Sequence, residues 1–185
     1  LPLEPMGVRM CDHLFVVTGG PGTGKSKLID ALARRGITSM QGGGRSIIRD
    51  QVKIGGPALP WGDRALYAEL MLGWEFRSYH EAEAMTGPVV MDCGLPDIVS
   101  YYREFGLPVP PHVEAAARRF RYNETVFLAP YWDAIFTEPQ PGRKEAATTG
   151  KTMAETYADL GYRVIELPLA SVEARADFVM ERLRA

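Results

Sequence analysis

The stretch that decides the fold is Leu14–Arg34, LFVVTGGPGTGKSKLIDALAR. It begins with the apolar run Leu14–Val17, which predicts a buried strand, and it ends in an amphipathic segment that predicts a helix from about Lys25. Between the two lies a glycine-rich loop, which consists of Gly19, Gly20, Pro21, Gly22, Thr23, Gly24, Lys25 and Ser26. A strand that enters such a loop and a helix that leaves it form the setting in which the loop binds phosphate.

The residue types of this loop suit phosphate chemistry. Its glycines allow successive backbone N–H groups to face phosphate oxygens, and the positive end of the following helix adds to the attraction. We expect Lys25 to reach the β- and γ-phosphates of a nucleotide and the Ser26 hydroxyl to bind Mg²⁺. The alternative is an ordinary glycine-rich turn before a helix, which the strand–loop–helix setting disfavours.

Length, charge and cysteine content limit the class of protein. The 185 residues predict one domain, with 11–185 as the folded unit and 1–10 as a loose tail. The net charge of −2 is spread along the chain, so neither nucleic acid nor an anionic membrane is an expected partner. Two cysteines, no visible secretory signal and no apolar stretch that spans a bilayer favour a cytoplasmic location.

Four further apolar runs predict strands that alternate with helices. They cover residues 37–40, 88–92, 125–129 and 162–167, and a long helix is expected from about Gly62 to Met85. The apolar stripe of that helix is predicted to contain Leu66, Tyr67, Leu70, Met71 and Trp74. This alternation predicts a three-layer α/β fold, a parallel five-stranded sheet with helices on both faces.

Asp92 is the second candidate functional residue, because it ends the predicted strand 88–92. Ligands of open α/β sheets collect at the carboxyl ends of strands, where the glycine-rich loop also lies. A carboxylate there orders the Mg²⁺ shell or accepts a proton from the attacking group. The alternative is a cap for the helix that begins near Leu95, and Cys93 beside it is expected to be a small buried residue rather than a nucleophile.

Two polar connecting segments are also candidate parts of the functional site. Gln41–Arg45 contains three adjacent glycines and is expected to be a flexible turn. Residues 137–150 are expected to form a mobile connection whose Arg143 closes over transferring phosphates, or else an ordinary basic surface loop.

Several motifs together resemble a family of P-loop ATPases and kinases in the AAA-like group, which has a ribosylnicotinamide kinase domain among its more distant relatives. The resemblance covers nearly the whole chain and includes the glycine-rich loop, Arg45–Gln51, Leu59–Trp61, Asp92–Asp97, Val126–Pro130, Arg143–Lys144, Leu160–Tyr162 and Glu166–Pro168. It implies a nucleoside- or nucleotide-kinase-like sheet, ATP or GTP with Mg²⁺, and a lid that carries Arg143.

The chain departs from this family pattern near the expected acceptor. Gly42 stands where relatives usually have an acidic residue, and Cys93 stands where they have an arginine after the aspartate. Pro141 and Gly142 precede Arg143 in place of an acid. Nucleotide binding remains expected, whereas an arginine that would steady the acceptor is missing.

The leading hypothesis is therefore a Mg-ATP-dependent phosphotransferase that acts on a small molecule. Lys25 and Arg143 would stabilise the transferred phosphoryl group, and a pocket for the acceptor would be lined by four residues: Arg45, Trp61, Asp63 and Asp97. The alternative is a slow ATPase or GTPase that acts as a nucleotide-dependent switch, and an ATPase acting on DNA or RNA is disfavoured by the charge balance. The acceptor, the choice between ATP and GTP and the oligomeric state stay open.

Overall fold

The computed structural model describes residues 7–131 and 143–183, with only the backbone of residues 143–147. The first half contains β1 (Arg9–Met10), β2 (Leu14–Thr18), α1 (Lys25–Arg34), β3 (Thr38–Met40), α2 (Gly44–Ile54), α3 (Arg64–Glu83) and β4 (Val89–Asp92). The second half contains α4 (Leu95–Glu104), α5 (Pro111–Arg119), β5 (Phe120–Arg121), β6 (Thr125–Leu128), α6 (Arg143–Asp159), β7 (Arg163–Glu166) and α7 (Val172–Leu183).

Five strands form a parallel sheet in the order β3-β4-β2-β6-β7. The central strand β2 is buried along its whole length, because helices cover both faces of the sheet. Its carboxyl end is level with the ends of both neighbours, since Val17 pairs with Asp92 and Thr18 pairs with Leu128. The loops that follow β2, β4 and β6 therefore meet at one edge of the sheet.

Two apolar layers flank the sheet. On one face, alternate residues of β2 such as Phe15 and Val17 pack with residues of α1 and α7. On the other face, Leu14 and Val16 pack with residues of α3, α4, α5 and α6. The predicted three-layer α/β fold with a parallel five-stranded sheet is confirmed.

Helix α3 packs differently from the predicted stripe. Leu66 and Leu70 are exposed, and the buried face instead holds Tyr67, Ala68, Leu72, Glu75, Ser78, Tyr79 and Ala82. The prediction for Leu66 and Leu70 was wrong because the helix meets α4 with a neighbouring face. Glu75 is therefore a buried carboxyl group on the core-facing side of α3.

Three other segments differ from expectation. Arg9 and Met10, at the end of the predicted loose tail, pair as β1 with β5. Residues 143–150, predicted as part of a mobile connection, are the start of helix α6. Residues 1–6 and 132–142 lie outside the described residues. Within the described part, no helix has the length and apolar content needed to cross a bilayer.

Candidate active site

The glycine-rich loop closes tightly against the end of β6. Gly19 has φ of +143°, and a Cβ at this position would lie 2.5 Å from the carbonyl oxygen of Ala129. A side chain there is excluded by both conformation and space. The buried Thr23 hydroxyl donates a 2.9 Å hydrogen bond to the Gly20 carbonyl and fixes the curvature of the loop.

Lys25 lies at the start of α1 and folds back over the loop. Its ammonium donates to the Gly19 carbonyl and, at 3.1 Å, to the Gly20 carbonyl. Helix α1 has no side-chain cap and no acidic residue in its first turn. Its N-terminus therefore presents N–H groups and a cation without a competing carboxylate, which is the arrangement that attracts phosphate.

A buried arginine supports the loop from the opposite end of the chain. Arg175 of α7 donates to the carbonyl of Thr23 at 2.9 Å and to the carbonyl of Pro168 at 3.0 Å. Burial lowers the pKa of its guanidinium from the usual value. The sequence analysis missed this residue because it lies 152 positions from Thr23, and no local pattern signals so distant a contact.

Asp92 lies at the end of β4, beside the segment that follows β3. Gly42 contacts it so closely that a Cβ on Gly42 would lie 2.9 Å from the Asp92 carbonyl oxygen and 3.4 Å from its carboxyl carbon. Cys93 follows with φ of +73°, which is a strained conformation for a residue with a side chain. Burial raises the pKa of the Cys93 thiol well above its usual value, so the thiolate needed for nucleophilic attack is disfavoured.

A cavity of about 410 Å³ opens next to the glycine-rich loop. Pro21 of the loop lies at its wall. The remaining described lining comes from the first residue of α2, from α3, α4 with its C-cap and α6, and from the segments that precede α2, α3 and α4: Gly42, Gly43, Gly44, Pro60, Tyr67, Met71, Glu75, Cys93, Gly94, Asp97, Ile98, Tyr101, Glu104, Phe105, Thr149 and Met153. Its size lies within the ~300–1,000 Å³ usual for small-molecule sites. The cavity adjoins the predicted phosphate site at the carboxyl edge of the sheet.

Asp97 is buried at the junction of three elements beside this cavity. Its carboxylate accepts hydrogen bonds from the Thr18 hydroxyl of β2, from the Tyr157 hydroxyl of α6 at 2.6 Å and from the Gly94 amide at 2.7 Å. Burial raises the pKa of Asp97, and these hydrogen bonds and the charge of Lys25 oppose that rise. Asp97 therefore holds the end of β2, the start of α4 and helix α6 together.

Glu75 is a second buried carboxyl group that lines the cavity, and it is only 6% exposed. Among the described residues it has no hydrogen-bond partner. Burial raises its pKa well above the usual value, and the negative charges of Asp97 and Asp92 add to the rise. The sequence analysis missed Glu75, although it follows Tyr67 and Met71 at intervals of four, the spacing of one helix face.

The other predicted acceptor residues lie elsewhere. Arg45 is exposed on α2, and Trp61 is 67% exposed. Asp63 caps α3 by accepting a 2.9 Å hydrogen bond from the Leu66 amide. None of these three lines the cavity in the described part of the chain, whereas Asp97 does. Arg143 begins α6, and its side chain lies outside the described residues.

The glycine segment Gly42–Gly44, expected to be a flexible turn, is packed against α3. A Cβ on Gly43 would lie 2.3 Å from the Trp74 ring, and one on Gly44 would lie 2.9 Å from the Tyr67 hydroxyl oxygen. The Trp74 indole also donates a 3.1 Å hydrogen bond to the Gln41 carbonyl. Close approach of α2 to α3 explains these glycines, and it brings the start of α2 to the cavity.

Comparison with known proteins places this geometry in a family. A family model described as an AAA domain matches residues 14–175. The chain belongs to this AAA domain family. The match includes the loop, Asp92, Asp97 and Arg175, so it covers the candidate site as well as the sheet. A comparison with curated protein sequences found no match for this AAA domain.

Solved structures share the fold of this AAA domain at low sequence identity. A deoxyadenosine kinase from M. mycoides with the products dCMP and a flexible dCDP bound has 12% identity and a TM-score of 0.63, over 92% of this chain and 98% of that chain. The same enzyme with bound dATP has 10% identity and a TM-score of 0.54, over 93% and 99% of the two chains. The NadR protein in complex with NR has 18% identity and a TM-score of 0.68, over 93% of this chain and 51% of that chain.

These similarities establish the fold of the domain. The AAA domain spans about half the length of the NadR chain and nearly all of the deoxyadenosine kinase chain. The AAA domain shares its fold with these neighbours, and the resemblance recognised in the sequence is confirmed.

Proposed function

We propose that this protein is a Mg-ATP-dependent phosphotransferase that acts on a hydroxyl group of a small molecule bound in the cavity. The observation that carries the proposal is the contact between the two sites. Pro21 of the glycine-rich loop is part of the cavity wall, so an acceptor in the cavity lies next to a nucleotide phosphate held by the loop. The neighbour named as a deoxyadenosine kinase supports an acceptor of nucleoside size.

The transfer step assigns roles to the residues at the sheet edge. The acceptor oxygen forms a bond to the γ-phosphorus while the bond from that phosphorus to the β,γ-bridging oxygen breaks, and ADP leaves. Asp92, which the sequence left between two roles, takes the proton of the acceptor hydroxyl in this proposal. Lys25 and the N–H groups at the start of α1 stabilise the charge on the phosphate oxygens, and Arg143 is proposed to join them from α6.

The residues at the loop fit a magnesium ion that is held mainly by phosphate. The Ser26 hydroxyl supplies a hard oxygen donor, which Mg²⁺ prefers, and Asp92 keeps its role as the base. Among the described residues, no group of three or more His, Cys, Asp or Glu residues is arranged to hold a metal alone. Ser26 would hold the ion together with nucleotide oxygens, and the ion would neutralise the phosphate charge.

The alternative, a nucleotide-dependent switch, needs a segment that changes with the nucleotide. Its grounds in the sequence were the missing arginine at Cys93 and the flexibility of Gly42–Gly44, and the packing of Gly43 against Trp74 removes the second of these grounds. The switch therefore has less support than phosphotransfer. It predicts slow hydrolysis that no acceptor accelerates.

Acceptor-stimulated turnover is the decisive measurement. Formation of ADP from Mg-ATP, or of GDP from Mg-GTP, is followed alone and with each member of a nucleoside panel, and the phosphorylated product is identified by mass spectrometry. We expect one acceptor class to raise the rate and to gain one phosphate. Asp92→Asn should lower kcat by about 100-fold or more while nucleotide affinity stays within about threefold. Tight nucleotide binding with a rate that no acceptor raises contradicts the proposal and favours the switch.

A further inference from the structure

The charged lining of the cavity beside the loop is acidic. Of the described residues that line it, Glu75, Asp97 and Glu104 carry carboxyl groups, and none is a lysine, arginine or histidine. Two of these carboxyl groups are engaged within the protein, because Asp97 accepts three hydrogen bonds and Glu104 accepts one from the Thr149 hydroxyl. Glu75 is the carboxyl group left for a ligand.

Glu75 is placed to recognise a ligand rather than to hold the fold together. It is only 6% exposed, it lines the cavity, and no hydrogen bond to it is present in the described ranges. A buried carboxyl group without a partner is costly to retain in a protein core. A ligand that donates a hydrogen bond, or that carries a positive charge, satisfies it.

The rest of the cavity wall suits a flat apolar body. Tyr67, Tyr101 and Phe105 form a run of rings, with centroid separations of 5.6 Å and 4.9 Å between successive members. Met71 and Ile98 extend this apolar surface. Aromatic rings pack favourably against such a wall.

We infer that the acceptor is an unphosphorylated, ring-bearing alcohol of nucleoside size whose hydrogen-bond donor or positive charge binds Glu75. This inference rests on the proposed phosphotransfer in the same cavity. It adds that the acceptor is neutral or positively charged. Anionic acceptors, such as nucleoside monophosphates, are rejected because the described lining contains three carboxyl groups and no cation that could pair with a phosphate.

Binding selectivity tests this inference separately from turnover. Adenosine, cytidine and guanosine, each with its 5′-monophosphate, are titrated calorimetrically into the protein saturated with Mg²⁺ and a nonhydrolysable ATP analogue, which keeps monophosphates out of the nucleotide site. We expect at least one nucleoside to bind about tenfold or more tightly than its monophosphate. At neutral pH, 1-methyladenosine carries a positive charge, and it should bind more tightly than adenosine.

Glu75→Gln removes the carboxyl group that can ionise beside a bound cation, and it keeps the shape of the side chain. It should abolish the preference for 1-methyladenosine over adenosine and leave binding of the ATP analogue within about threefold. Glu81→Gln is the matched control on the same helix, because Glu81 is exposed and pairs with Arg77. It should leave every affinity unchanged.

Two results overturn the inference: monophosphates that bind as tightly as nucleosides, or a cation preference that survives Glu75→Gln. Failure of all nucleosides to bind also contradicts the inference. The comparison of each nucleoside with its monophosphate is made on the wild-type protein, so it does not depend on the folding of a variant. If the selectivity is found and no acceptor is phosphorylated, the proposed function fails while the assignment of the cavity stands.

Discussion

The Tyr157 hydroxyl donates a 2.6 Å hydrogen bond to the Asp97 carboxylate and so joins α6 to the start of α4. Asp97 also accepts from Thr18 at the end of β2, the strand that leads into the glycine-rich loop. One buried carboxylate thus connects the strand before the loop, the helix after Asp92 and the helix that follows residues 132–142. The position of the loop depends on α6 through this group.

Removal of the Tyr157 hydroxyl should destabilise the protein. Tyr157→Phe keeps the ring and takes one donor from a buried carboxylate, so the free energy of unfolding should fall by about 1.5–3 kcal/mol. Urea unfolding at neutral pH measures the loss. Tyr162→Phe is the control, because the Tyr162 hydroxyl only accepts a 3.4 Å contact from the Tyr122 amide. Equal losses in the two variants would contradict the special role of Asp97.

Lys25 should matter for nucleotide binding far more than its neighbour Lys27. Lys25→Ala removes the ammonium that lies over the loop carbonyls, and the affinity for Mg-ATP should fall by about tenfold or more. Lys27 is exposed on the same turn of α1, and Lys27→Ala should change the affinity by less than about threefold. Calorimetric titration of both variants decides the matter. Similar losses would indicate a diffuse attraction rather than direct phosphate contact.

Gly43, which packs against the Trp74 ring, and Gly73, which precedes Trp74 in α3, offer a paired test of the α2–α3 contact. Gly43→Ala places a Cβ 2.3 Å from the Trp74 ring, and this overpacking should cost about 1–3 kcal/mol of unfolding free energy. Gly73→Ala in α3 meets nothing within 4 Å, and it should stabilise the protein by about 0.5–1 kcal/mol. Thermal and urea unfolding report both signs. If Gly43→Ala left the free energy of unfolding unchanged, the glycine segment would be as flexible as the sequence predicts.

The loop and the sheet were predictable because their signals are local. Leu14–Arg34 contains strand, loop and helix within 21 consecutive residues, and each further strand is a short apolar run. Ser171 is another local signal, because a serine directly before a helix favours an N-cap, and its hydroxyl accepts a 3.2 Å hydrogen bond from the Ala174 amide. Signals of this kind need no knowledge of the tertiary contacts.

The cavity was not predictable because its residues are selected by packing between distant helices. A glutamate within a helix is usually exposed to solvent. Glu75 is buried because of the face that α3 presents to α4. Asp63 shows the converse. It was predicted to line the acceptor pocket, whereas its carboxylate caps α3. Asp97 was predicted only to line the acceptor pocket, and its hydrogen bonds with Thr18 and Tyr157, which belong to two other elements, had no signal in the sequence.

The buried carboxyl group of Glu75 should make stability fall as the pH rises. Its pKa in the folded protein is raised well above the usual 4.5, so the folded state retains a proton that the unfolded state releases. The unfolding free energy therefore decreases by up to ~1.4 kcal/mol per pH unit between 4.5 and the folded pKa, and the stabilisation is complete only below 4.5. Asp97, whose pKa is also raised, contributes in the same direction.

Glu75→Gln isolates this contribution. A glutamine carries no proton to lose, so the variant should gain stability relative to the wild type as the pH increases from about 5 to about 7.5. Urea unfolding across that range gives the difference at each pH, with Glu81→Gln as a control whose curve should stay parallel to the wild type. Parallel curves for Glu75→Gln would mean that Glu75 is already ionised in the folded protein.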